Sequence, residues 1–151
     1  MRKLDDDESD LNVSLMIEIS MFNKLVTAAF MPKIRKSGLT LPQVHVLMIL
    51  FREKRPLTVS ELIEFTISTS GNTDVVVNNL IKAGLVLKKK DKTDKRKRLV
   101  ELTEAGLEKA SKEYKDYMVS VVKVLSPSST AQKQELFSEF KKLNKGIREN
   151  F

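Results

Sequence analysis

Over 151 residues the chain is 41% apolar and 31% charged, with a net charge of +7, one His and no Cys, a balance that fits one globular module with a real core and excludes disulfide frameworks and thiol chemistry. Its longest apolar block, Val44 to Phe51, falls far short of the ~20 residues a transmembrane helix needs, and the acidic start MRKLDDDESD leads into no signal-peptide pattern. A cytoplasmic protein with no membrane partner is expected.

Residues 1–10 are predicted to form a disordered acidic tail. From about Asp10 to Lys36, the residues Leu11, Leu15, Ile19, Phe22, Val26 and Ala29 recur at steps of three and four, which puts one apolar stripe along a long helix. Pro32 should end, kink or jog this helix, and Ser37-Gly38 supplies a stop. A second helix starts near Thr40, a capping residue, with Pro42 tolerated in its first turn; QVHVLMILFREK is apolar on nearly every side, so this helix should be central and buried. After Arg55-Pro56, Thr58 and Glu61 have capping-box spacing ahead of the apolar patch Leu62, Ile63 and Phe65.

ISTSGNT then reads as a turn between helices. The next helix, about Thr69 to Ala83, places Thr73, Val76, Val77 and Leu80 on one side. On the other side lie Gly71, Val75, Asn78 and Lys82, flanked by Asn72, Asp74 and Asn79. Gly84 stops it. Two helices around a polar turn, the second polar outward, form the helix-turn-helix pattern. Leu85 to Lys89 and Lys97 to Leu102 read as two strands joined by a polar loop, and a hairpin in that place is a wing.

The hairpin holds most of the charge. Residues 88–98, KKKDKTDKRKR, carry eight Lys or Arg against two Asp, or +6 net. Charge alone leaves a solvated run and a polyanion contact equally open; beside a helix-turn-helix, it reads as a DNA-contacting arm. Thr103 is predicted to cap a helix with the stripe Leu107, Ala110, Tyr114, Met118, Val121 and Leu125, and Ser126-Pro127 breaks it. A last helix, about Thr130 to Arg148, carries Leu136, Phe140, Leu143 and Ile147. Helices this long at both ends of a small domain cannot bury their stripes on it alone, and a symmetric homodimer is the common solution. The predicted fold is therefore mainly α with a small β-hairpin wing: a winged helix-turn-helix over 39–102, flanked by dimerisation helices over 11–38 and 103–151.

No glycine-rich phosphate loop, nucleophile elbow or metal ligand set is present, so no enzyme and no cofactor is expected. His45, the sole histidine, cannot make a zinc site by itself and reads as a core or pocket-wall residue. The methionines read as core filling.

The order of elements resembles the multiple antibiotic resistance regulator (MarR) family of winged-helix transcription factors over nearly the whole chain. The similarity is densest in Leu39-Thr40 with Gln43 and Leu47, in Ser70-Gly71-Asn72 through Leu80 and Gly84-Leu85-Val86, and in Asp91-x-x-Asp94-Lys95-Arg96 followed by Leu102-Thr103-x-x-Gly106. That resemblance implies a dimer on a pseudo-palindromic operator in double-stranded DNA, usually as a repressor in a bacterial or archaeal cytoplasm. The recognition helix would present Ser70, Gly71, Asn72, Asp74, Val75, Asn78, Asn79 and Lys82, and the wing Lys88, Lys90, Lys92, Thr93, Lys95, Arg96, Lys97 and Arg98. Many members also release DNA on binding a small aromatic molecule; its pocket would draw on Phe22, Phe30, His45, Met48 and Tyr114.

Two departures stand out. Thr93 occupies the place of the family's first wing-tip Arg, and the recognition helix has Asp74 and no Arg, so it lacks the commonest guanine-reading contact. Asn78 and Asn79 suit adenine edges, Val75 a thymine methyl and Asp74 a cytosine amine, which predicts an A/T-rich operator. The alternative is a winged-helix interaction module that binds DNA only non-specifically, which would have no need of the wing's charge.

Overall fold

The computed structural model describes residues 6–65, 70–91 and 93–150. In chain order the elements are α1 (Asp6–Ser37), α2 (Leu41–Glu53), β1 (Leu57–Thr58), α3 (Val59–Phe65), α4 (Ser70–Lys82), β2 (Val86–Lys90), β3 (Arg98–Leu102), α5 (Glu104–Val124) and α6 (Thr130–Asn150). Mainly α with a small β wing, the architecture is that of a winged helix. The chain divides into two compact units, residues 1–117 and 118–151.

In the first unit the strands form an antiparallel sheet of order β1-β3-β2. Val86 faces Leu102, Lys88 faces Val100 and Lys90 faces Arg98 across the hairpin. The two-residue β1, absent from the sequence expectation, pairs Leu57 with Val100 and Thr58 with Leu99. Alternation along β2 and β3 turns Val86 and Val100 inward, where they meet Leu47, Leu50, Leu57, Leu62, Val77 and Leu80 in one core. Thus α2 is the central helix, as its composition predicts.

Local chemistry sets most boundaries. The Thr40 N–H donates to Gln43 Oε1 (2.8 Å) and Gln43 N–H to Thr40 Oγ1 (3.4 Å), a complete capping box for α2. Thr58 and Glu61 repeat it for α3, at 2.8 and 3.2 Å. The Thr58 N–H, aided by Arg55, holds the Glu61 carboxyl below its usual pKa. Gly84, at φ +70, ends α4, with Leu85 N–H donating to Leu80 O (3.0 Å) and Gly84 N–H to Ile81 O (2.9 Å), the Schellman pattern. Thr103 Oγ1 accepts from Gly106 N–H (3.0 Å) at the start of α5 and donates back to Gly84 O (2.7 Å). In the second unit Ser129 and Gln132 form a further box ahead of α6, at 2.8 and 3.3 Å.

The terminal helices correct the sequence reading in three ways. First, α1 begins at Asp6, so residues 6–10 of the expected disordered tail are helical, and it runs through Pro32 to Ser37. One missing N–H does not end a helix whose flanks are held: beyond Pro32, Ile34 is buried and Lys109 Nζ donates to Ser37 O at 2.6 Å. Second, the apolar residues of α1 are not confined to one stripe; Val13, Met16, Ile17, Met21 and Leu25 are exposed besides Leu11, Leu15 and Phe22. Over Ser9–Ser37 this helix is long and apolar enough, by length and composition, to cross a membrane, although no unbroken apolar block in the sequence signals it. Third, Met16, Met21 and Met118 are exposed and fill no core, and Leu107 on α5 is also exposed. By contrast, the open stripe of α6 agrees with the sequence reading: α6 has no buried residue, and Leu136, Phe140, Leu143 and Ile147 are exposed together with Phe137.

Candidate nucleic-acid interface

The second helix of the helix-turn-helix, α4, is amphipathic in the expected sense. Thr73, Val76, Val77 and Leu80 are buried, whereas Asn72, Asp74, Val75, Asn78, Asn79 and Lys82 are exposed. Ser70 and Gly71 form its first turn. Residues 67–69 of the expected turn lie outside the described residues.

The wing places its charges on two faces. On β2 the alternation puts Lys88 and Lys90 on the face of Val86, and Leu87 and Lys89 on the other. Lys89 pairs with Glu101 of β3. Lys88 instead reaches α4, with its Nζ 3.5 Å from Asp74 Oδ1 and 3.3 Å from Asn78 Oδ1. Among the described residues Lys90, Lys95 and Arg98 enter no ion pair. Lys90 and Arg98 sit directly opposite each other, a like-charge pair that costs stability until a polyanion screens it.

Two carboxylates shape the loop. Asp91 Oδ1 accepts from Thr93 Oγ1 (2.6 Å), Thr93 N–H (2.8 Å) and Asp94 N–H (2.8 Å), a side-chain turn that imitates a backbone one. Those bonds, the Thr93 hydroxyl first, hold the Asp91 carboxyl down at about 2. Asp94 Oδ1 accepts from the Arg96 N–H (3.1 Å) and Nε (3.3 Å). Asp94 thus braces Arg96, while Asp91 folds the turn. The Arg96 side chain stays 93% exposed, and Thr93, in the usual Arg position, is occupied with Asp91. Lys95 and Lys97 are exposed, and Lys92 lies outside the described residues.

The expected effector pocket is only partly assembled. Phe30, His45 and Met48 do line one cavity, with Lys33, Ile34, Leu41, Val44, Glu113, Asp116 and Tyr117. Phe22 is exposed elsewhere on α1, and Tyr114 packs against Phe51 (5.3 Å between ring centres) instead. Tyr117 takes the aromatic place beside Phe30, at 5.1 Å. That pairing spans 87 positions, so no local spacing could have signalled it. The cavity encloses about 40 Å3, room for a water or two and not for an aromatic ring. Burial pushes the His45 pKa down, so the imidazole is neutral there at neutral pH. Among the described residues no cluster of three or more His, Cys, Asp or Glu could hold a metal ion.

Comparison with known proteins agrees with this geometry. Residues 28–113 match the family described as transcriptional regulator SarA/Rot, while no curated protein sequence matches the chain. A probable transcriptional regulator from Pseudomonas aeruginosa is similar in structure at 26% identity and TM-score 0.73, covering 88% of this chain and 98% of that one. AbsC, a MarR family transcriptional regulator from Streptomyces coelicolor, superimposes at TM-score 0.81 with 22% identity, over 99% and 100% of the two chains. The S. aureus MepR–DNA complex gives TM-score 0.75 with 17% identity, over 87% and 96%.

Proposed function

We infer that this chain, which belongs to the SarA/Rot family of transcriptional regulators and has the fold of MarR-family winged-helix regulators, is a homodimeric repressor of a pseudo-palindromic, A/T-rich operator. One observation carries this most: a hairpin with six net positive charges, including Lys90, Lys95 and Arg98, which enter no ion pair among the described residues, stands beside a recognition helix whose exposed face is mostly polar. The wing supplies phosphate contacts, which position the protein, and α4 supplies base contacts, which specify the site. Asn79, exposed on α4, has the paired donor and acceptor that an adenine edge takes, and Val75 suits a thymine methyl.

Dimerisation is supported by the apolar surface left open on α1 and α6. Helices in water do not keep rows of Leu, Ile and Phe exposed, and a second copy covers them symmetrically. The same pairing accounts for the membrane-like composition of α1 without a bilayer. A small aromatic effector would act by opening the cavity of Phe30, His45, Met48 and Tyr117, which is closed to a ring in this form. A regulator of this kind works in the cytoplasm, on the chromosome.

The decisive measurement is binding of the full chain to its own upstream region and to unrelated DNA of equal length, titrated in salt. With three or four phosphates neutralised per wing, log K is expected to fall with log salt at a slope of about −5 to −7. Selective binding that survives physiological salt is the expected result. Weak, equal binding to both duplexes would overturn operator recognition and favour an interaction module, and selection of G/C-rich half-sites from random DNA would overturn the base preference alone.

A further inference from the structure

We propose that Lys88 determines specificity by masking two groups on the recognition helix, and that it does this while the protein is on DNA. The proposal rests on α4 being the base-reading helix. Asp74 and Asn78 lie four residues apart, on one face of α4. Their oxygens converge on a single ammonium from β2, Lys88 Nζ, at 3.5 and 3.3 Å. Lys88 is also anchored from behind, since its backbone pairs with Val100 in the middle of the hairpin. Its direction is thus set by the sheet, in contrast to Lys95 and Arg96, which lie in the loop between β2 and β3.

Two consequences follow for base reading. Asp74 is a carboxylate on a surface that must approach phosphates and the electronegative major groove, where an unmasked negative charge repels; the ammonium beside it removes that repulsion. Asn78 reads adenine with its oxygen and its NH2 together. With Oδ1 accepting from Lys88, the group it turns outward is the NH2 donor, which suits acceptors such as purine N7 or thymine O4. Bidentate adenine reading then falls to Asn79, and cytosine reading by Asp74 is suppressed. Lys88 is therefore unlike the other wing cations. It acts on the bases through Asp74 and Asn78, whereas Lys90, Lys95 and Arg98 are free to act on phosphates.

The test compares four full-length proteins, wild type, Lys88→Gln, Lys88→Arg and Lys88→Gln with Asp74→Asn, on the duplex that wild type selects from a random pool and on an unrelated duplex. The expected result is that Lys88→Gln loses affinity mainly for the selected duplex and, in a fresh selection, enriches cytosine or adenine at one position per half-site. Removing the unmasked carboxylate with Asp74→Asn should restore roughly fivefold or more of the loss, a coupling usual for contacting residues. Lys88→Arg should keep the wild-type preference. If Lys88→Gln instead weakens both duplexes equally, lowers the salt slope by about one and is not rescued, Lys88 is an ordinary phosphate contact and the proposal fails. A wild type that selects no sequence would overturn operator reading itself, which separates the two outcomes.

Discussion

The winged core and the terminal helices handle apolar residues in opposite ways. In the core, Leu47, Leu57, Leu62, Leu80 and Val100 are fully buried within one chain, packed by α2, α3, α4, Ala110 of α5 and a three-stranded sheet. On α6, a helix of 21 residues, none is buried, although Leu136, Leu143 and Ile147 are chemically the same kind of residue. Apolar content therefore does not measure how complete a fold is. The core is finished by its own chain, while the long helices leave apolar surface open.

The comparison can be broken most sharply at two leucines. Leu80→Ala in the core should cost about 2–5 kcal/mol in denaturant unfolding, because it leaves a cavity in a packed site. Leu143→Glu on α6 should leave the core intact but shift the full chain towards monomer in sedimentation, abolishing any dependence of the melting temperature on protein concentration. If the wild type is already monomeric with no such dependence, the unfinished surface has some other partner than a second copy.

A smaller effect separates the core from its margin. A Cβ built on Gly106 would lie 1.8 Å from the Leu85 carbonyl oxygen, so Gly106→Ala must displace backbone where β2 and α5 meet. The expected loss is about 1–3 kcal/mol, against almost none for Gly146→Ala on α6, where nothing stands within 4 Å. The smallest effect is in the wing. The Asp91 carboxyl lies at about 2 against an ordinary 3.8, so its contribution is complete above 3.8 and is lost as pH falls towards 2. Amide exchange at Thr93 and Asp94 should accelerate over that window while the core amides of α2 stay protected; equal acceleration in both would assign the change to global unfolding.

Much of the winged helix was legible in the chain because it is local. Thr40 with Gln43, Thr58 with Glu61, the Gly84 stop, the inward and outward faces of α4 and the charge of the wing all depend on residues within a turn or a strand of one another. The residues expected around an effector do not share one place: Phe30, His45 and Met48 line a cavity with Tyr117, whereas Phe22 is exposed and Tyr114 packs on Phe51. Spacing along a helix gives the face a residue is on, and not which distant element that face meets.

The sequence by itself determined most of the elements, several of their caps and where the positive charge gathers, since periodicity, turn chemistry and net charge are short-range properties. Only the tertiary structure decided the pairing of Leu57 with Val100, the close approach of Leu85 that requires glycine at position 106, the passage of α1 through Pro32, and the meeting of Lys88 with Asp74 and Asn78. Each joins groups on different elements, or depends on what those elements hold in place, and such contacts are fixed by how the elements pack.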